Sequence, residues 1–389
     1  MTDLETPVAT PSRTGALRRA APALLGYAAV RALGLIALAV WSTAHGKSAH
    51  KLLTARWDSL WYTRVAGLGY GYEVRLPNGD VHSNLAFFPL LPWLERLVSA
   101  ITPLSYADAG LLVSTLASLA AAWGIFAVAD HVYGLRAGVC AALVWAVLPV
   151  GIVQSMAYSE SLFTALAAWS LYAVLTGRWP TAGLLAALAG LTRPVGLAVV
   201  AAVWVAAITS FLRDRSTPAT DGARAWPRAL GMLLAPLGAA GYVLWVGHRT
   251  GKGPLGYLDV QAGWRNGFDG GYAFARFVGD KFTSFPSALA GVGLIVGVAL
   301  IVWLYVTCVR QGQPLPLLVY AGVVTALALC ASSYFGSKPR LLLPAFPLLL
   351  PLALALARLR TSRSALVLGG VAVASAVYGA FWLNGSGPP

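Results

Sequence analysis

Charge is what this sequence has least of. Lys, Arg, Asp and Glu make up 11% of its 389 residues, against roughly a quarter in an ordinary soluble domain. Twenty-eight basic and 14 acidic side chains cannot coat a water-soluble globule of this length. The shortage excludes disorder as well, because disorder combines high charge with low hydrophobicity and 58% of this chain is hydrophobic. Cysteine is scarce too. Cys140, Cys308 and Cys330 lie inside apolar blocks without metal-ligand spacing and read as packed thiols. The five histidines form no HxxxH pair, so no metal site and no cofactor is visible. Internal repeats are missing, including the inverted halves common in secondary transporters.

What the chain has instead is apolar blocks of spanning length, for which about 20 residues suffice. The first runs over about 20–43, and others over roughly 106–129, 137–156, 161–176, 180–192, 194–212, 228–248, 286–308, 315–334, 341–357 and 365–383. The sequence therefore predicts an all-α polytopic membrane protein with about 11 transmembrane helices in a single domain, 20–383. Blocks 161–176 and 180–192 are short, as broken helices are where they line a polar cavity. The net charge of +14 would suggest nucleic acid in a soluble protein. Here the basic residues sit between apolar blocks, where they orient helices or meet anionic head groups, so the expected partners are lipids and no nucleic acid.

Residues 1–19 are polar and read as a flexible tail, with Arg13, Arg18 and Arg19 holding the N-terminus in the cytoplasm. The first block lacks a clear cleavage site and reads as an uncleaved span. Arg31, near its middle, must face the bundle or a polar ligand. Segment 44–104 then becomes a first outer loop, 249–284 a second, and 384–389 an outer C-terminal tail. Within the first loop, Leu90, Leu94, Leu97, Val98 and Ile101 recur at helical spacing with Glu95, Arg96 and Ser99 opposite. That pattern fits an amphipathic helix lying at the interface. The inner segments hold 13 Lys or Arg and the outer ones 14, so the raw count does not orient the chain. Ten of the outer ones lie in the stretches 44–84 and 249–284 of these long loops, which carry less topological weight.

Four constellations could carry chemistry. In ARWDSLWYTR, a helical continuation puts Asp58 beside Tyr62, and Trp57 beside Trp61, at i, i+4. Indoles at this depth are common interfacial anchors and also stack on sugar rings; a partly desolvated Asp beside them is a better proton acceptor. An aromatic belt with an incidental Asp is the alternative. In AYSESLF, Tyr158 precedes Glu160, the only acidic residue between Asp130 and Asp214. A carboxylate in such surroundings is a functional candidate, or a solvated residue favoured by a helix N-terminus. In GLTRPVG, Arg193 precedes a proline that opens a helix, where an anion is welcome; it could equally pair with Glu160 or Asp58. In SKPRLLLPAFP, Lys338 and Arg340 flank a proline and make a natural phosphate clamp, or snorkelling anchors. The second loop adds Asp259, Trp264, Arg265, Asp269, Arg276 and Lys281 among glycines and aromatics. That composition suits a sugar or acceptor lip, with no residue singled out.

On this topology one or two carboxylates, three cations and several rings share the outer side. Transfer of a sugar from a lipid-phosphate donor asks for that set: a general base for the acceptor hydroxyl, and cations, with no acid, for a leaving group that is already a stable anion. One catalytic carboxylate then suffices, unlike the pair used by hydrolases. A transporter or lipid flippase would instead use Arg31, Glu160 and Arg193 as intramembrane charges along a path. A third possibility is an inactive assembly subunit.

The string RWDSLWY, followed by FFPLLPW, YSESLF and LTRPVG, resembles bacterial relatives of the GPI mannosyltransferase II family. These are polyprenyl-phosphate-sugar-dependent membrane glycosyltransferases of the GT-C fold. The likeness covers about residues 50–200, and KPRLLLPAFP resembles that fold's late outer motif. It implies inverting transfer of mannose from a dolichol- or polyprenyl-phosphate donor on the extracytoplasmic face, in a bacterial plasma membrane. By motif, the family's Trp-Asp pair maps onto Trp57 and Asp58, making Asp58 the expected base, its YSE Glu onto Glu160 as the expected second catalytic carboxylate, its LTRP Arg onto Arg193, and its late basic motif onto Lys338 and Arg340. The charge and side of Arg193, Lys338 and Arg340 suit a donor phosphate, and Trp57, Trp61, Tyr62 and Tyr158 are the expected sugar or acceptor contacts. Eukaryotic members act on GPI precursors; this Ala/Val/Gly/Arg-rich chain looks bacterial, which leaves the acceptor open.

Overall fold

The structure, a computed structural model, describes residues 13–215, 225–332, 334–385 and 387. The polar start of the expected tail, 1–12, and the stretch 216–224 lie outside the described residues. Residues 13–19 are already helical: α1 runs Arg13–Ala44.

Two short helices, α2 (Ala49–Thr54) and α3 (Asp58–Leu68), follow α1. A small antiparallel hairpin comes next, β1 (Glu73–Arg75) with β2 (Val81–Ser83), Val74 facing His82. Gly79 turns it at φ 86°, a conformation that costs glycine nothing. The remaining elements are helices. They are α4 (Leu90–Ile101), α5 (Tyr106–Tyr133), α6 (Leu135–Ala146), α7 (Ser159–Leu175), α8 (Trp179–Gly190), α9 (Leu197–Arg215), α10 (Ala225–Leu234) and α11 (Leu237–Thr250). After them come α12 (Gly256–Gly263), α13 (Tyr272–Asp280), α14 (Ser287–Arg310), α15 (Leu315–Cys330), α16 (Lys338–Leu342), α17 (Leu350–Arg358) and α18 (Thr361–Asn384).

The protein is an integral multi-pass membrane protein of all-α class. Among the described residues six helices are long and apolar enough to cross a membrane, or up to eight if each of two bent pairs is one span. Three further apolar helices, α7, α8 and α15, fall short of spanning length. Every expected block is helical, but length and composition support fewer crossings than 11. One bend, of 87°, separates α6 from the turn at Pro149–Ser155. Its freed carbonyls on Ala146 and Gly151 accept from the Arg31 guanidinium. The costly mid-span arginine thus faces the bundle and satisfies backbone that lipid could not.

Helix α5 is the central post, packed against α1, α4, α6 and α7. Helix α7 is buried nearly all round, as a helix apolar on every face should be. Around α8 the packing depends on small residues. A Cβ on Gly183 would overlap the backbone of Gly231, and one on Gly238 the carbonyl of Ala187. Such close approach is how membrane helices gain contact without a hydrophobic driving force between them. Helix α14 is the opposite case, with Leu289, Ile295, Val296, Leu300 and Trp303 all exposed to the surroundings.

Helix α4 presents Trp93, Leu97 and Ile101 outward and turns Leu91, Pro92 and Glu95 inward. The polar face read from the sequence is therefore split: Arg96 is exposed, whereas Glu95 is fully buried.

Candidate active site

Four charged side chains, from four separate stretches of sequence, form one continuous chain. Asp58 occupies the first turn of α3 and Glu160 the first turn of α7, positions where the helix dipole attracts negative charge. Arg193 lies in extended backbone just before the Pro194–Gly196 turn, and Arg340 lies in the single turn of α16. Arg340 Nη1 is 2.7 Å from Asp58 Oδ2, and its Nε is 3.3 Å from Glu160 Oε1. Glu160 Oε1 is in turn 2.7 Å from Arg193 Nη1. The order is Asp58, Arg340, Glu160, Arg193.

Exposure separates the two carboxylates. The Asp58 side chain keeps 25% of its surface and Glu160 only 1%. Asp58 therefore keeps an accessible edge, while Glu160 lies buried in contact with both guanidiniums. Neither oxygen of Glu160 is aligned for a hydrogen bond despite these short ionic contacts, and the Arg340 Nε likewise meets Glu160 as an ionic contact only.

The aromatic residues read from the motifs divide between this cluster and its rim. Tyr158 is fully buried, and the Arg340 guanidinium lies 5.1 Å from its ring centre. The Tyr62 hydroxyl is 2.7 Å from Ser159 Oγ, which accepts from Arg193 Nη1 at 3.0 Å. Burial pushes the Tyr62 phenol well above its usual range, against the pull of nearby Arg193, so it stays protonated. Trp57 caps α3 with φ at 50°, an outlier for a bulky residue, and stacks under Arg56 at 3.8 Å. Trp61 belongs to the rim. It stacks on Phe87 and meets Trp264 edge-on at 4.9 Å.

Lys338 lies apart from the charge chain. Its ammonium donates to the carbonyls of Ala328 and Ala331, at 2.8 and 2.9 Å, and rests near Phe274 and Phe335. This closes the end of α15 in the way cations commonly cap helix C-termini. Among the described residues no three His, Cys, Asp or Glu side chains group to hold a metal ion.

Three features escaped the sequence reading. Ser159 stood inside the quoted AYSESLF motif, yet nothing in one sequence shows that its hydroxyl ties Tyr62 to Arg193. Trp264 sat in a loop with no residue singled out. It stacks on His82 at 4.0 Å and donates to the Ser83 carbonyl, and the neighbouring Arg265 pairs with Asp80. The segment Leu85–Phe87 is pinned from the other loop and α11, because Tyr242 donates to Leu85 and Phe87 and Tyr257 to Ala86. The second loop thereby clamps the first against the α3 helix that carries Asp58.

Residues 34–219 match the family model described as mannosyltransferase (PIG-V). This agrees with the likeness to the GPI mannosyltransferase II family carried by the motifs, and its range includes Asp58, Glu160 and Arg193. No curated protein matches the chain. Among solved structures, the fold is similar to the crystal structure of ArnT from Cupriavidus metallidurans bound to undecaprenyl phosphate. The TM-score is 0.52 at 17% identity, covering 86% of this chain and 62% of that one. The apo state of the same protein gives 0.50 at 17% identity, with 84% and 59% covered. The chain thus spans about three fifths of the length of these proteins, and the likeness is one of fold.

Proposed function

We propose that this protein is a membrane glycosyltransferase that moves a mannose-type sugar from a polyprenyl-phosphate donor to an acceptor hydroxyl, with inversion. The observation that carries the proposal is the Asp58–Arg340–Glu160–Arg193 chain, in which a partly exposed carboxylate pairs with the buried Arg340 and the buried Glu160 links Arg340 to the half-buried Arg193. The family match over 34–219 supports a sugar-transferring role, and the ArnT fold was crystallised with a lipid phosphate in place.

In this reading Asp58 takes the proton from the acceptor hydroxyl as that oxygen attacks the anomeric carbon. The bond from that carbon to the phosphate oxygen breaks, and the polyprenyl phosphate departs with the electron pair. The phosphodiester carries one negative charge and the departing phosphate two. Arg340 and Arg193 meet the charge that develops, where preorganised cations contribute most. A single displacement inverts the anomeric centre and requires no second proton donor. Glu160 is too buried to exchange protons with a substrate; it acts as a positioning residue that keeps the two guanidiniums convergent. In the same reading Trp57 and Trp61, with the buried Tyr62 and Tyr158 behind them, are the contacts for sugar or acceptor. Lys338 supports the same region by anchoring the end of α15.

The test incubates purified protein with radiolabelled polyprenyl-phosphate-mannose and a lipid or glycan extract of cells. Label should pass into a new product, and Asp58→Asn should stop the transfer while insertion and yield stay unchanged. An intact donor with no labelled product from the unaltered protein, or full transfer by Asp58→Asn, overturns the reading.

A further inference from the structure

Two apolar helix pairs are sharply bent, and their elbows meet. The first bends by 87° between Leu135–Ala146 and Pro149–Ser155, the second by 76° between Phe335–Leu342 and Phe346–Arg358. A break frees the last carbonyls of the helix before it, and lipid offers them no donor. At the first elbow the Trp145 carbonyl accepts from Gln154 Nε2 at 2.8 Å, and the Ala146 carbonyl from Arg31. At the second, the Leu343 carbonyl accepts from Trp145 Nε1 at 3.0 Å, and the Pro344 carbonyl from the Tyr320 hydroxyl at 3.0 Å. Trp145 thus takes part in both: its carbonyl belongs to one elbow, and its indole N–H satisfies the other. The ring is fully buried and stacks on Tyr27 at 5.6 Å, nearly parallel, which fixes the direction of the N–H.

Each bent pair leads to one member of the charge chain. Arg340 lies three residues before Leu343 in the five-residue turn α16, which is too short to be stable alone. Its place is therefore set from outside, by Lys338 at one end and by the Trp145 bond at the other. The Leu343 N–H returns to the Arg340 carbonyl at 3.1 Å, so the bonded residue and Arg340 move together. On the other side, the Gln154 carbonyl accepts from the Ser161 hydroxyl at 3.3 Å, next to Glu160 in the first turn of α7. The 3.3 Å contact between Arg340 Nε and Glu160 Oε1 closes the circuit. Contacts run from Arg340 through Leu343, Trp145, Gln154 and Ser161 to Glu160, and back to Arg340.

We propose that Trp145 is a positioning residue for the transfer, its indole N–H holding the two elbows at the separation that brings Arg340 to Glu160. The inference rests on the reaction proposed above and adds a residue that acts from behind the charge chain. Without the N–H, the buried Leu343 carbonyl is left unpaired, which a low-dielectric interior penalises, so the second elbow shifts. A displacement of about 1 Å at a reacting group can cost on the order of a hundredfold in rate.

Trp145→Phe keeps a ring against Tyr27 and removes the donor. With the full-length protein in nanodiscs, kcat/KM for polyprenyl-phosphate-mannose should fall about tenfold or more, the acceptor KM staying unchanged. Gln154→Met removes the next bond in the circuit and keeps the indole. It should act in the same direction, more weakly, and it carries the test if Trp145→Phe does not fold. The deciding variant combines Trp145→Phe with Arg340→Lys. Because Trp145 works through Arg340, the pair should lose no more than about twofold beyond Arg340→Lys alone. Losses that multiply make Trp145 a packing residue and overturn the inference. Hydrogen exchange supplies a measure that needs no activity. Amides of 338–349 should exchange roughly tenfold faster in Trp145→Phe, those of Ser287–Arg310 at the same rate as before. Trp303→Phe, on the exposed face of α14, should change neither kinetics nor exchange. Unaltered exchange at 338–349 overturns the inference whether or not a donor is found. Faster exchange there, in a protein that transfers from no donor, removes the proposed reaction and leaves the joint between the elbows standing.

Discussion

Arg340 Nη1 lies 2.7 Å from Asp58 Oδ2, although 282 residues separate the two in sequence. The residue read as base is thus held by a residue read as phosphate ligand. In the proposed reaction a donor phosphate entering between the arginines would compete with Asp58 for Arg340, so donor arrival and release of the carboxylate would be coupled through one side chain.

Arg340→Lys tests the coupling. Lysine keeps the charge but not the planar fork that can reach Asp58, Glu160 and a phosphate together. The expected outcome is a 10- to 100-fold fall in kcat/KM for the donor, about 1.4–2.8 kcal/mol of transition-state stabilisation, with the acceptor KM little changed. Steady-state kinetics with each substrate varied in turn makes the check. A shift confined to the acceptor would place Arg340 on the wrong substrate.

Glu160→Gln should behave differently, because it removes the one buried negative charge between two guanidiniums. Taking one partner from a buried ionic cluster typically costs about 3–5 kcal/mol. Lower thermal stability and a raised donor KM are expected together, measured by unfolding in detergent and by donor titration. Asp58→Asn, at a position still 25% exposed, should lose activity with far less effect on stability. Equal stability losses for the two variants would undo the division of roles.

The helical class and the four charged motifs were legible because each is local: an apolar block, or a short string such as RWD, YSE, LTRP or KPR. The pairing order was legible only in part: Glu160 was one of two partners open to Arg193 and is the one found, whereas Asp58–Arg340 is a tertiary fact that no spacing encodes. Lys338 shows the limit most clearly. Adjacent in sequence to the Pro339–Arg340 pair, it read as half of a clamp, yet the turn of α16 sends its ammonium to the end of α15. Trp264 was hidden for the opposite reason, because its partners His82 and Ser83 lie in the other loop. The count of spans overshot what length supports because α7, α8 and α15 are apolar but short. Buried by their neighbours, such helices read like lipid-facing ones in composition.

Glu95 makes a prediction about pH. Its carboxyl is fully buried under α4, neither oxygen has a partner, and it occupies the space left by the missing side chain of Gly110. Burial pushes its pKa from 4.5 up to about 9. The native side chain is therefore neutral at pH 7, whereas in the unfolded chain it ionises near 4.5. The unfolded state binds fewer protons than the native one across this window, so the stability due to this group falls as pH rises from about 4.5 to about 9. Glu95→Gln removes the dependence. Its melting temperature should exceed that of the unaltered protein at pH 8–9, and the gap should shrink toward pH 5. A gap that stays constant across this range would mean that Glu95 is charged in the fold.

Trp264→Ala tests whether the second loop holds the first in place. The indole stacks on His82, meets Trp61 and Phe87 edge-on, and donates to the Ser83 carbonyl at 3.0 Å. Each aromatic pair of this kind contributes about 0.5–1.5 kcal/mol beyond simple burial. The residues are half-buried and lie away from the spanning helices, so their loss should loosen the hairpin without unfolding the bundle. Faster tryptic cleavage at Arg75, with the melting temperature nearly unchanged, is the expected signature. Because Trp61 stands one turn from Asp58 on α3, transfer should also fall several-fold, mainly through a higher acceptor KM. Trp264→Phe keeps the stacking and loses only the hydrogen bond, and should sit between the two. If Trp264→Ala leaves both proteolysis and the acceptor KM unaltered, the contact between the loops is incidental and α3 is positioned by α4 and α5 alone.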